Sequence, residues 1–90
     1  MAGRLTLYAP AGCGELLGAA VSLLRRIARE LSLMAVGPII REGGCICLCY
    51  EDDSLAVYVH ISDPHRDVNF DKAEVIVKLM ASSSNRDCPT

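Results

Sequence analysis

The sequence predicts one α+β domain in the order β-α-β-β-β-α, an antiparallel sheet with two helices on one face. Three observations predict it. The 90 residues are 51% hydrophobic and 22% charged, the profile of a single globular domain. Apolar residues recur at three and four between Glu15 and Leu33, and two β-rich runs flank an acidic turn within residues 45–61. The domain is expected over 4–81, with 82–90, Ser-Ser-Ser-Asn to Thr90, as a flexible tail. A domain this small buries only about 60% of the surface its unfolded chain exposes, so a partner subunit would supply burial it lacks.

Arg4-Leu5-Thr6-Leu7-Tyr8 alternates its side chains and runs into Pro10-Ala11-Gly12-Cys13-Gly14, a strand ending in a turn. Leu16, Ala20, Leu23, Leu24, Ile27 and Leu31 then form one stripe, with Ser22, Arg25, Arg26 and Arg29 on the other, which makes an amphipathic helix. Gly37-Pro38 cannot continue it, and Ile39-Ile40-Arg41 before Gly43-Gly44 reads as a strand closing in a loop. Residues 45–61 read as an antiparallel hairpin. With Tyr50 opposite Leu55, one face holds Ile46, Leu48, Tyr50, Leu55, Val57 and Val59. The other holds Cys45, Cys47, Cys49, Ala56, Tyr58 and His60. That second face is neither charged nor strongly apolar and suits a surface covered by a neighbouring chain, so those six residues are the expected interface. After a polar loop beyond Asp63-Pro64, Asn69 caps a helix built on Phe70, Ala73, Ile76, Val77 and Met80, although Val75-Ile76-Val77 also suits a strand.

Nine Lys+Arg against eleven Asp+Glu leave a net charge of −2, which argues against generic attraction to nucleic acid or anionic membranes. The apolar run from Leu16 stops at Arg25-Arg26, short of the roughly 20 residues that span a bilayer. Five cysteines, an odd number, and an N-terminus without a secretory pattern make a cytoplasmic chain the expectation, where thiols are usually reduced and disulfides belong to the hyperthermophile exception, so the redox state of these cysteines stays open.

Cys13, between two glycines and ahead of a helix, is the best single site for chemistry, because backbone N–H groups and the helix dipole favour a thiolate there. The plainer reading is a small residue in a strand-to-helix turn. Cys45, Cys47 and Cys49 alternate along a strand, where neighbours on one face diverge too far for an unstrained disulfide, and read as packed thiols. A metal shared with His60 opposite Cys45, or held by His60, Asp63, His65 and Asp67, is the less favoured reading. Arg25, Arg26 and Arg29 form the basic cluster that phosphates would find, though Arg26 can pair with Glu30 and no aromatic platform accompanies the stripe. No phosphate loop, hydrolase elbow or dinucleotide fingerprint is present, so the expectation is a non-enzymatic chain without metal or cofactor.

Two resemblances extend this. Leu5-Thr6-Leu7-Tyr8-Ala9-Pro10-Ala11-Gly12-Cys13 resembles the active-site strand and turn of the glutaredoxin and thioredoxin families, with Val36-Gly37-Pro38 similar to their cis-proline segment. Leu16 stands where those families place a second cysteine, so the likeness implies a single-cysteine redox protein using Cys13. Over residues 4–81, the element order and the turn Tyr50-Glu51-Asp52-Asp53-Ser54-Leu55 resemble the small dimerising subunit of the KEOPS tRNA-modification complex. That likeness implies a non-catalytic subunit that dimerises through its sheet, as a homodimer or within a hetero-complex, and helps bind tRNA. Ala56-Val57 stands where that family carries a basic residue.

Overall fold

The computed structural model describes residues 3–53 and 56–67. Its elements are β1 (Arg4–Pro10), α1 (Glu15–Leu31), β2 (Met34–Arg41), β3 (Cys47–Glu51), β4 (Ala56–His60) and a short α2 (Pro64–Asp67). The four strands form one sheet in the order β2-β1-β3-β4.

The α+β class stands, but the sheet is mixed rather than antiparallel. β1 pairs with β2 in parallel, and β3 is antiparallel to both β1 and β4. The reason is the crossover: α1 carries the chain back to the starting end of the sheet, so the next strand runs in the direction of the first. β2 also starts at Met34, five residues before the expected Ile39, directly after the helix. Ser32 ends α1 in the left-handed conformation, its N–H reaching the Ala28 and Arg29 carbonyls, and Leu33 N–H donates to Ala28 O at 2.7 Å. Leu33-Met34-Ala35-Val36 could prolong the apolar stripe of a helix, and this backbone reversal turns it into strand.

α1 covers one face of the sheet. Leu5 and Leu7 of β1 alternate inward with Leu48 and Val57, and they pack with Ala20, Leu23, Leu24 and Ile27 in a single core. Burying each large aliphatic side chain contributes roughly 1.5–3 kcal/mol. Gly37, at φ 112°, lies so close to β1 that a Cβ there would stand 2.7 Å from Leu7 O. The Gly37–Pro38 peptide is cis, and the β1–β2 register shifts beside it, between Thr6 and Tyr8.

The hairpin register differs from expectation by two residues. Tyr50 faces Val57 rather than Leu55, Cys49 faces Tyr58 and Cys47 faces His60. A shift of two preserves which residues share a face, so among the paired residues Leu48, Tyr50, Val57 and Val59 stay on one face and Cys47, Cys49, Ala56, Tyr58 and His60 on the other. At the last turn the expected polar loop is helical instead. Pro64 opens α2, where its missing N–H costs nothing, and Asp63 Oδ1 accepts the His65 N–H at 3.1 Å. The second long helix, over Phe70 to Met80, lies outside the described residues, as does the 82–90 tail, so the described part of the fold has one long helix on the sheet. No described helix is long and apolar enough to cross a membrane.

Candidate functional site: the sheet face opposite α1

With α1 on one side, the other side of the sheet is open among the described elements. Its register is fixed by pairing: Ile39, Tyr8, Cys47 and His60 form one row, and Val36, Thr6, Cys49 and Tyr58 the next. Arg41 stands beyond the first row, and Met34, Arg4, Glu51 and Ala56 close the far end.

The floor of this face is polar and closed. Thr6, Cys47 and Cys49 are buried, with the Thr6 hydroxyl 3.4 Å from Glu51 Oε1. The Arg41 guanidinium carbon lies 4.5 Å from the centre of the Tyr8 ring, and its Nη2 donates to Cys47 Sγ at 3.7 Å. Tyr8 and Tyr58 stand 6.3 Å apart between ring centres, tilted by 35°. Burial pushes the Cys47 thiol up to about 11, against a smaller lowering from Arg41. Burial raises Cys49 too, opposed by its hydrogen bond with Tyr58. It also raises Tyr8, with the neighbouring thiols and Glu51 adding to the effect. These are sheltered thiols at neutral pH and poor nucleophiles.

Of the six expected interface residues, the hairpin brings Cys47, Cys49, Ala56, Tyr58 and His60 onto this face. Cys47 and Cys49 are covered within the chain itself and are a floor rather than a contact surface, whereas Ala56 and His60 are exposed and Tyr58 is half-buried. Cys45 departs from the packed-thiol reading: it is disulfide-bonded, so its thiol is not reduced. His60 faces Cys47 rather than Cys45, which removes the pairing behind the expected metal alternative. Among the described residues, no group of three or more His, Cys, Asp or Glu side chains is arranged to hold a metal ion.

Beside this face, β2 forms the sheet edge and is exposed on both sides. Met34 is 62% exposed, Ile40 50% and Ile39 40%, a concentration of apolar surface on a strand with one edge unpaired among the described residues.

The other expected sites lie elsewhere. Arg25 and Arg29 are exposed on α1, on the side away from the sheet, and Arg26 pairs with Glu30 at 3.7 Å. They share no surface with the tyrosines. Cys13 is half-buried at the edge of the core, its Sγ–H donating to the Pro10 carbonyl at 2.9 Å. That contact uses the thiol hydrogen and ties the sulfur to the turn. Pro38 lies level with Leu7, about 10 Å along β1 from Pro10 at about 3.3 Å per residue. The sequence does not single out Tyr8 and Arg41. The alternation in 4–8 does place Tyr8 beside Thr6 on the polar face, but nothing in the sequence shows that β2 lies beside β1 and delivers Arg41 there.

Compared with known proteins, the chain matches no family model, no curated protein and no solved structure.

Proposed function

We propose that this chain is a non-enzymatic association subunit that pairs with a second copy of itself along β2. One observation carries the reading: the apolar residues Met34, Ile39 and Ile40 stand exposed on an edge strand, the arrangement a soluble monomer avoids. The strand is uncharged from Met34 to Ile40, so two copies meet without like-charge repulsion. Run antiparallel, they set each Arg41 near the partner's Met34 end. Pro38 carries no N–H, so a full backbone ladder is interrupted at mid-strand and side-chain packing supplies much of the contact.

This is the role implied by the resemblance to the dimerising KEOPS subunit, and the proposal takes from it the scaffold role in a cytoplasmic complex, with tRNA contact as its specific form. The Cys45 disulfide is the observation that stands against a reducing cytosol. The rival, redox chemistry at Cys13, would need a thiol free to leave its carbonyl partner.

Hydrogen–deuterium exchange at low and high protein concentration tests the reading. Amides of residues 34–41 should become protected at high concentration while those of α1 do not change. Equal exchange of 34–41 at both concentrations would contradict it.

A further inference from the structure

Four of the five cysteines lie among the described residues, and they fall into two kinds. Cys13, Cys47 and Cys49 are free thiols, whereas Cys45 is disulfide-bonded. A disulfide needs a second sulfur, and none of the three free thiols supplies it. Cys13 spends its S–H on the Pro10 carbonyl at 2.9 Å, and Cys47 and Cys49 are buried in β3. Cys47 is also the neighbour of Cys45 at i and i+2 of one extended segment, where the two side chains diverge too far to be bridged without strain. One cysteine of the sequence remains, Cys88, which lies outside the described residues.

We propose that Cys45 is cross-linked to Cys88, so that residues 45–88 form one covalent loop closed at the connection between β2 and β3. Cys45 is well placed as the anchor. It follows Gly43-Gly44 and is half-buried, and the carbonyl of its neighbour Ile46 accepts the Ile61 N–H at 2.9 Å, which ties the anchor to the end of β4. A thin core gains from such a bond, because closing a long loop removes conformational freedom from the unfolded chain. The three remaining thiols do not scramble it. Exchange needs a thiolate, and Cys47, two residues away, keeps its proton because burial pushes it up to about 11.

The bond is also a reducible staple. A dithiol reductant attacks one of its sulfurs, the Cys45–Cys88 bond breaks, both sulfurs end as protonated thiols, and the reductant closes into its own disulfide, a balanced two-electron exchange. The chain is therefore expected to be more stable in an oxidising thiol buffer than in a reducing one, through this bond alone. The proposal does not rest on association along β2.

Peptide mapping of the full chain tests it. Protein is equilibrated with reduced and oxidised glutathione, and its free thiols are blocked with N-ethylmaleimide in denaturant. Three maleimides are expected on the intact chain, and five when a dithiol precedes the label. Trypsin should then release peptides 42–66 and 87–90 as one species that the dithiol separates. The dithiol should lower the melting temperature of wild type by about 5 °C or more. Cys88→Ser should melt where dithiol-treated wild type does and no longer respond to the dithiol, and Cys45→Ser should lose the same response. Five maleimides without the dithiol would overturn the proposal. So would peptide 42–66 linked to the Cys13 peptide 5–25, or linked to a second copy of itself in a covalent dimer. A Cys88→Ser variant that melts with wild type and keeps the dithiol response would overturn it as well.

Discussion

Cys47 shows how much a single position can be made to say. Its thiol is buried beneath the Arg41–Tyr8 stack and pushed up to about 11 from an ordinary value of 9.0. The folded state therefore holds its proton where the unfolded chain has lost it. Its contribution, roughly 2–3 kcal/mol, is complete below about pH 9 and lost as pH rises toward 11. Denaturant midpoints between pH 8 and 11 should fall with pH in wild type, and fall less in Cys47→Ala. Parallel curves would contradict this. The same burial predicts that Cys47 and Cys49 resist alkylation in native protein and react on unfolding, read by mass spectrometry of labelled peptides. Cys13, half-buried with its Sγ–H bonded to the Pro10 carbonyl, is the thiol that reacts first in native protein on exposure alone, so the redox rival is favoured only if Cys13 is alkylated faster in the native than in the unfolded chain. Gly37→Ala places a Cβ against the Leu7 carbonyl at positive φ and should cost at least about 1–3 kcal/mol, measured by thermal or denaturant unfolding.

At the scale of elements, the sequence was most legible where the pattern was long. Of the α1 stripe, Ala20, Leu23, Leu24 and Ile27 lie in the core as the three-and-four spacing requires, whereas at its ends Leu31 is half-buried and Leu16 is 42% exposed. In the hairpin, alternation set the faces but not the register, because the acidic turn offers no Asn-Gly-type signal to fix loop length, and a shift of two leaves every face unchanged. β2 was half seen. Met34-Ala35-Val36 is compatible with either structure, and only Ser32 turning left-handed ends the helix before them. The parallel pairing of β1 and β2 follows from the α1 crossover, whichever residue opens the strand. Leu7, fully buried between Leu48 and α1, is the keystone of this arrangement, and Leu7→Ala should cost about 2–5 kcal/mol of unfolding free energy.

Across the described residues as a whole, one long helix covers one face of a four-stranded sheet, and the other face and the β2 edge carry no described element. The interface expected on the hairpin face was legible as an absence of charge, but the thiols that suggested it turn inward beneath tyrosine and arginine. Among the described residues most of the exposed large apolar side chains, Met34, Ile39 and Ile40, are on β2, whose neighbour the sequence does not reveal. Association along that strand is the central claim, and sedimentation equilibrium tests it most directly. Wild-type protein should approach twice the monomer mass as concentration rises, and Ile39→Lys with Ile40→Lys, both at exposed positions, should stay monomeric with an unfolding midpoint close to wild type. A wild-type chain that remains monomeric at the highest concentration, or a double variant that dimerises as well as wild type, would contradict it.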